Sequence, residues 1–324
     1  WYHVPVLVLV VAGMLAIRLQ AYDNFVQSGT VYYSGNDAWY HLRQIEYTVH
    51  HWPFTMPFDP WTNFPYGTNE GQFGTLYDQI IATAALVVGL GSPSQTLTAK
   101  ILLVAPAVFA AFIALPVYAI GKRLAGRLAG LFGAVVLLLL PGQFLQRGLV
   151  GFADHNIAEP LFQTVAVLAL MIAVTVATRQ KPVWELVLDR DVAALREPLL
   201  WSALAGVAVA LYMWVWPPGI LLIGIFGTYL VYQLTSDYVT GGSPEPVAFV
   251  GVVSMVVSAL LMLVKFEEMT FAPTDFGLLQ PVVALGVAAG AAVLAGLARV
   301  FDNRDVDRQY YPAAVVSLVL VAVG

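Results

Sequence analysis

The sequence predicts an all-α, polytopic membrane protein with about nine transmembrane helices. Of its 324 residues, 59% are hydrophobic and only 11% are charged, and the mean hydropathy is +0.77. Apolar runs close to 20 residues recur along the chain, and this is the length that an α-helix needs to cross a bilayer. A β-barrel is disfavoured, because its strands would alternate polar and apolar residues over about 10 positions.

The composition also excludes some kinds of site and partner. There is no cysteine, so disulfides and thiolate metal sites are ruled out. The formal net charge of −5 is small and dispersed, and no nucleic acid is expected as a partner. The first apolar run, from Val4 to Ile17, lacks the basic leader and cleavage site of a signal peptide. It is therefore interpreted as a span. Because both chain ends lie within apolar runs, residues 1–324 are expected to be a fragment of a longer protein.

The distribution of basic residues predicts the topology. The spans are interpreted as 4–20, 97–120, 128–146, 156–178, 199–216, 218–235, 247–264, 278–298 and 310–324. Ten of the 15 Lys and Arg residues fall in the connections 122–127, 179–196 and 299–308, and positively charged connections stay cytoplasmic. The three connections lie on the same side of the bilayer only if residues 78–91 do not cross it. A helix of that length reaches ~21 Å, which is shorter than the ~30 Å hydrocarbon core. The N-terminus is then cytoplasmic, and 21–96 form one long external loop.

Two acidic motifs stand beside apolar segments, and this topology places both outside. Asp37 lies in the stretch 34–41, Ser-Gly-Asn-Asp-Ala-Trp-Tyr-His, and Asp154 lies in 151–156, Gly-Phe-Ala-Asp-His-Asn. Each aspartate also has the position of a helix N-cap, which is the alternative interpretation. Two carboxylates on one membrane face favour a hard divalent cation that holds a phosphate-bearing substrate.

The second motif belongs to a denser polar cluster. Ionisable groups beside apolar spans are candidates for function, and those between the third and fourth spans are Arg147, Asp154, His155, Asn156 and Glu159. By contrast, Arg18 near the outer end of the first span is expected to extend to the membrane surface.

At these residues the chain resembles the catalytic subunit of oligosaccharyltransferase, in its archaeal single-subunit form. The resemblance rests on the acidic motif Gly35-Asn36-Asp37 after the first span and on the Trp- and Pro-rich stretch 57–67. It continues in the run 147–156, in which an Arg and a Gly-containing spacer precede a D-x-D-like motif, and in the turn 214–219, Trp-Val-Trp-Pro-Pro-Gly.

The resemblance implies a fold and an activity. The fold is that of a GT-C type glycosyltransferase with a long first external loop, lacking here the C-terminal globular domain that reads the acceptor. The activity is inverting, metal-dependent transfer of a glycan from a polyprenyl (dolichyl) phosphate or pyrophosphate to the Asn of an Asn-X-Ser/Thr sequon. The implied partners are a lipid-linked oligosaccharide, an acceptor protein and membrane lipid. The expected location is the cell membrane, with the active site on the external face.

The same resemblance implies roles for individual residues. Asp37 would be catalytic, and Asp37, Asp154 and Asn156 would bind Mn²⁺ or Mg²⁺. Arg147 and His155 would contact the lipid phosphate or the substrate. Asn156 departs from the family pattern, which usually has Asp, Glu or His at this position, and it adds no charge to the site.

Two alternatives remain open from the sequence. One is another membrane glycosyltransferase that uses polyprenyl-phosphate sugars, of the O-mannosyl or aminoarabinose type, because these enzymes also carry an early acidic motif. The other is a secondary transporter, although the sequence shows no matching halves and its charges lie at span edges rather than at the membrane midplane.

Overall fold

The computed structural model describes residues 3–69, 74–179, 185–186, 189–265 and 269–323. Part of the second basic connection and the charges at 267–268 therefore lie outside the described residues. The chain forms two compact units, Trp1–Leu168 with Trp214–Trp216, and Ala169–Met213 with Pro217–Gly324.

The described residues are mainly helical, as predicted. The helices are α1 His3–Leu19, α2 Tyr22–Phe25, α3 Asp37–His51, α4 Leu76–Val88, α5 Gln95–Leu139, α6 Gln143–Arg147, α7 Ala158–Ala177, α8 Val192–Val215, α9 Ile220–Val239, α10 Glu245–Val264, α11 Leu279–Asn303 and α12 Tyr311–Val323. Single 3₁₀ turns lie at His155–Ile157, Pro217–Gly219 and Arg308–Tyr310. Two antiparallel pairs of short strands join β1 Val26–Gln27 to β2 Thr30–Val31, and β3 Phe58–Asp59 to β4 Thr68–Asn69.

Six helical segments among the described residues are long and apolar enough to cross a membrane. They are Gln95–Leu139, His155–Ala177, Val192–Val215, Pro217–Val239, Glu245–Val264 and Leu279–Asn303. The first of them covers two predicted spans, and α1 and α12 are 17 and 13 residues long. The count of nine spans therefore stays a prediction.

Helix α5 is broken in the middle and folds back on itself. Ala125 and Gly126 leave the helical conformation, with φ of −143° and 86°, between the predicted spans 97–120 and 128–146. A Cβ added at Gly130 would lie 2.5 Å from the carbonyl oxygen of Tyr118, so the two arms touch through glycine, as closely packed membrane helices often do. The second arm ends at Leu139, earlier than predicted, because Pro141 cannot continue the helix.

This close approach gives a stability prediction. Gly130→Ala should lower the free energy of unfolding by about 2 kcal/mol, because the new methyl group meets backbone that cannot move away. The measurement is the thermal midpoint of the protein in detergent. Gly286→Ala on α11 is the matched control, since a Cβ there meets no atom within 4 Å. Equal midpoints for the two variants would contradict the packing described.

The connection between α1 and α5 carries most of the first unit's polar structure. In it, α3 packs against α4 and both pack against α5. Helix α4 has 13 residues, which corresponds to ~20 Å and falls short of a ~30 Å hydrocarbon core. A buried cluster that includes Ala38, Ile45, Tyr77 and Leu102 joins these three helices. The buried helix contacts hold the start of α3 in a fixed place.

The expectation for Arg18 is wrong. Its side chain does not extend to the surface but is fully buried, with its guanidinium 5.1 Å from the Phe144 ring centroid. Its three guanidinium nitrogens have no hydrogen-bond partner among the residues that the structure describes. The backbone carbonyl of Arg18 accepts a bond from Val150 N–H at 3.0 Å, so the end of α1 supports the loop that leads to Asp154.

The second unit is built on a close pair of helices, α10 and α11, with α9 packed against both. Small residues make the contact possible, since a Cβ at Gly251 would lie 2.7 Å from Leu230 and 3.3 Å from Ala291. Near one end of this group the Tyr238 hydroxyl donates to Asp302 Oδ1 at 2.8 Å, and Arg308 Nη1 donates to the Tyr238 carbonyl at 3.1 Å.

Candidate functional site

The two acidic motifs meet in the first unit because their backbones are bonded to each other. Ser34 N–H donates to the carbonyl of Gly151 at 2.9 Å, and Gly151 N–H donates to the carbonyl of Leu103 at 3.2 Å. Gly151 has a φ of 90°, and a Cβ there would lie 2.6 Å from the Phe25 ring. Only glycine fits this corner, so the residue at 151 fixes where the chain turns towards Asp154.

His41 connects α3 to the second motif. It lies one helical turn after Asp37 on the same face of α3, and it is 2% exposed. Its Nδ1 is 2.8 Å from Asp78 Oδ1 on α4, and its ring packs edge-on against Tyr77 with centroids 4.9 Å apart. A carboxylate on Nδ1 fixes the ring's orientation and directs Nε2 towards the loop before α7.

Three ligand atoms converge at this point. Asp154 Oδ1 lies 2.8 Å from His155 Nδ1 and 3.4 Å from His41 Nε2, and the two ring nitrogens are 3.2 Å apart. Beyond them, His155 Nε2 is 3.4 Å from Glu159 Oε1. Asp154 is 3% exposed and the His155 side chain is 31% exposed, so the cluster is buried except on the His155 side.

The electrostatics of the cluster favour bound positive charge. Burial acts to lower the pKa of His41, but the charge of Asp78 and the hydrogen bonds to Asp154 and Asp78 outweigh it and raise that pKa to about 10. Burial acts to raise the pKa of Asp154, but hydrogen bonds from His155 and His41 hold that pKa well below its usual range. The Asp154 carboxyl is therefore ionised at neutral pH.

The donor set fits a divalent metal ion. Each of His41, Asp154 and His155 offers one ligand atom, and the three atoms lie within 4.8 Å of one another. Two imidazoles with one carboxylate suit Zn²⁺ and Mn²⁺ better than Mg²⁺, which prefers oxygen ligands. The Asp78 carboxylate behind His41 is the outer-shell partner that metal-binding histidines usually have.

The helix-cap alternative does not account for either aspartate. Asp154 lies at the cap position of the 3₁₀ turn, but its side chain makes no capping hydrogen bond. Asp37 is exposed at the first position of α3. Its carboxylate makes no hydrogen bond or ion pair within the part of the chain that the structure describes. Both carboxylates are thus available for another role.

The other predicted residues lie around the cluster. The Asn156 side-chain amide donates to Asp154 Oδ2, so it orients that carboxylate in this structure. Arg147 Nε donates to Gln143 Oε1 at 3.0 Å, and its guanidinium lies 5.6 Å from the Phe152 ring centroid. Arg147 is half-buried and contributes positive charge next to the acidic loop.

The sequence analysis assigned no role to His41 or Asp78. His41 stands four residues after Asp37, a spacing that places the two on one helical face, and this signal was available. Asp78 lies in the first turn of a helix that has no other charged residue, and a buried carboxylate in that place indicates a partner. Their pairing spans 37 residues, however, and the folded arrangement of α3 and α4 was needed to find it.

The Trp- and Pro-rich stretch forms the hairpin of β3 and β4. An ion pair between Asp59 of the hairpin and Arg43 of α3 connects the two elements. Asp59 is fully buried and accepts bonds from Arg43 Nε at 2.7 Å and from Trp61 N–H at 2.8 Å. The hairpin leaves large aromatic side chains exposed, namely Phe58, Trp61, Phe64 and Tyr66.

Comparison with known proteins identifies the family. Residues 6–295 match the family model of oligosaccharyl transferase STT3, N-terminal. A relative from Haloferax volcanii, dolichyl-monophosphooligosaccharide–protein glycotransferase AglB, is 67% identical over 323 residues, which is 100% of this chain and 31% of the relative. The chain therefore spans about a third of the length of such relatives.

Solved structures agree with this similarity. An Archaeoglobus fulgidus AglB in complex with an inhibitory peptide and a dolichol-phosphate superposes with a TM-score of 0.87 at 27% identity, over 100% of this chain and 37% of that one. An A. fulgidus oligosaccharyltransferase in complex with Zn and sulfate superposes with a TM-score of 0.83 at 27% identity, over 98% of this chain and 39% of that one. The A. fulgidus oligosaccharyltransferase tethered to an acceptor peptide with an NVT sequon superposes with a TM-score of 0.86 at 27% identity, over 100% of this chain and 38% of that one.

Proposed function

The chain belongs to the oligosaccharyl transferase STT3 family, and we propose that it is the N-terminal transmembrane part of an enzyme that N-glycosylates proteins. The enzyme transfers an oligosaccharide from a dolichyl phosphate carrier to the Asn of an Asn-X-Ser/Thr sequon. The observation that carries this proposal is the cluster of His41, Asp154 and His155, one helical turn from the exposed carboxylate of Asp37.

Asp37 acts on the acceptor in this proposal. An exposed carboxylate without a protein partner can accept hydrogen bonds from both N–H groups of the acceptor amide. Such bonds favour rotation of the amide nitrogen out of conjugation, which makes its lone pair available to attack the sugar. As the nitrogen bonds to the anomeric carbon, Asp37 takes the proton that the nitrogen loses. The phosphate leaves with the bonding electrons from the opposite face of that carbon, so the configuration is inverted.

The metal would be held by His41, Asp154 and His155, with Asp37 and Asn156 as further oxygen ligands from the same two motifs. A bound divalent cation supplies Lewis-acid neutralisation of the leaving phosphate. Of the two ions expected, Mn²⁺ fits the imidazole-rich set better than Mg²⁺. Support comes from the A. fulgidus oligosaccharyltransferase structure that holds Zn.

A carboxylate behind a metal-binding histidine gives a second prediction. Asp78→Asn should weaken Mn²⁺ binding about 10-fold or more, because the His41 ring loses the partner that fixes its orientation and raises its basicity. Calorimetric titration of metal-free protein with MnCl₂ measures this. Gln79→Ala, one residue along the same helix, is the control, and unchanged affinity in Asp78→Asn would remove His41 from the proposed ligand set.

The donor is proposed to be a monophosphate. The H. volcanii relative is named for a dolichyl-monophosphooligosaccharide, and one A. fulgidus structure holds a dolichol-phosphate. Arg147, adjacent to the acidic loop and half-buried, is the residue that would pair with this phosphate, since a guanidinium matches phosphate oxygens in geometry and charge. His155 is the second residue proposed to contact the substrate, because its side chain stays 31% exposed.

The topology remains part of the proposal. The protein is a multi-pass membrane protein with a cytoplasmic N-terminus, nine spans, and the connection 21–96 on the external face. This arrangement follows from the positive-inside rule and places α3, α4 and the acidic loop outside, where a lipid-linked donor and an acceptor protein would meet.

The direct test is a transfer assay with the full-length protein in liposomes. With a dolichyl-monophosphate oligosaccharide and MnCl₂, a peptide that contains Asn-Val-Thr should gain the mass of the glycan on Asn. The matched peptide with Gln in place of Asn should gain nothing. Glycan on Thr, or donor hydrolysis without modification of the peptide, would refute N-glycosylation and favour another class of lipid-sugar transferase.

A further inference from the structure

The second unit contains a cavity that the proposed transfer reaction does not use. It has a volume of about 630 Å³ and lies where α9 ends, α10 begins and α11 ends. The side chains that matter there are Ser243, Glu245, Arg299, Asp302 and Arg308. The connections that supply these helix ends, 236–246 and 299–308, are both on the cytoplasmic side in the predicted topology.

The polar wall of this cavity carries both charge signs. Arg299 Nη2 is 2.9 Å from Glu245 Oε1, and its side chain remains 39% exposed. Arg308 Nη2 is 3.5 Å from Asp302 Oδ1, and its side chain is also 39% exposed. Two guanidinium groups at a membrane-helix end are suited to a phosphate, while the neighbouring carboxylates are suited to hydrogen-bond donors on the same headgroup.

An apolar groove continues from the same residues. A second cavity of about 430 Å³ shares Glu245, Ala295 and Arg299 with the first. Its remaining lining is Ala248, Phe249, Val252, Ala292 and Gly296, which form one face of α10 and one face of α11. From Arg299 to Ala292 the groove runs seven residues along α11, roughly 10 Å from the helix end into the span.

Small residues create the groove. On the α11 side the groove is lined by Ala292, Ala295 and Gly296, and a Cβ added at Gly296 would meet no atom within 4 Å. A hydrocarbon chain can therefore lie against the two helices without displacing protein atoms. In a membrane-spanning helix pair, lipid is the solvent that reaches such a groove.

We propose that the pocket and groove bind one membrane phospholipid. Its phosphodiester lies against Arg299 and Arg308, hydroxyl groups of its headgroup face Glu245 and Asp302, and one of its chains lies between α10 and α11. This site is independent of the proposed glycan transfer, so the two proposals stand or fall separately.

Native mass spectrometry of the full-length protein in detergent tests the groove. On titration with dioleoyl phosphatidylglycerol, the protein should bind one molecule of this lipid. It should bind dioleoyl phosphatidylcholine more weakly, because the headgroup of that lipid has no hydroxyl donor. Gly296→Leu should weaken that binding by about 10-fold or more, because the new side chain fills the groove. Gly290→Leu is the matched control, since it lies on the same helix in equally open space and outside the groove.

The headgroup contacts have their own test. Arg308→Gln should weaken phosphatidylglycerol binding by about fivefold, as expected for one basic residue near a lipid phosphate. Arg304→Gln, an exposed arginine of the same connection that does not line the cavity, should leave it unchanged. Equal binding of both lipids, equal effects of Gly296→Leu and Gly290→Leu, or displacement of the lipid by inorganic phosphate alone would each overturn the proposal.

Discussion

Asp154→Asn is expected to reduce glycan transfer by more than about 100-fold, which exceeds the effect of losing an outer-shell partner alone. The substitution keeps the shape of the side chain but removes the negative charge that lies 2.8 Å from His155 Nδ1 and 3.4 Å from His41 Nε2. Without that charge the three-residue cluster loses its only anionic ligand. The measurement is kcat/KM for the Asn-Val-Thr peptide at saturating donor and MnCl₂.

Two controls make this result specific. Asp23→Asn changes an exposed aspartate of the same unit and should leave transfer unchanged. The thermal midpoint of Asp154→Asn shows whether the variant is folded. A folded Asp154→Asn protein with full activity would show that the cluster is structural and that the chemistry occurs elsewhere.

Asp37→Asn is expected to lower kcat by about 100-fold or more, the usual contribution of a positioned proton-accepting group. Because Asn donates hydrogen bonds where a carboxylate accepts two, it cannot hold both N–H groups of the acceptor amide. The peptide KM should change much less than kcat, since the role of Asp37 is exercised on the reacting amide rather than in binding the rest of the peptide.

The same variant separates two roles for Asp37. If its main contribution is to the acceptor, the affinity of Asp37→Asn for Mn²⁺ should remain close to that of the unaltered protein, because His41, Asp154 and His155 are intact. A loss of metal binding as large as the loss of transfer would instead make Asp37 chiefly a ligand. Unchanged kcat would contradict any catalytic role.

Much of the helical framework follows from the length of the apolar runs. The spans predicted at 218–235, 247–264 and 278–298 match helices to within two residues at their starts, because a run of that length has no other way to satisfy its backbone in a bilayer. The prediction was less good at 128–146, where an apolar run continues through Leu140 although Pro141 and Gly142 end the helix.

The site was only partly predictable. The acidic motifs were visible because carboxylates are rare beside apolar spans, and Asp154 and His155 do lie in the cluster. The link between His41 and His155 joins residues 114 positions apart, and no local pattern records it. The burial of Arg18 was missed for a related reason, because its environment is made by Phe144 and the loop after it rather than by its own helix.

Metal dependence of transfer tests the account most directly. Full-length protein treated with EDTA and freed of chelator should transfer no glycan to the Asn-Val-Thr peptide. Added MnCl₂ should restore transfer, and the rate should rise with MnCl₂ concentration in the same way as the metal occupancy measured by calorimetry. His41→Ala should shift both curves together to higher metal concentration. Full transfer by the metal-free protein, or restoration that does not respond to His41→Ala, would contradict the assignment of His41, Asp154 and His155 as the metal site of a glycosyltransferase.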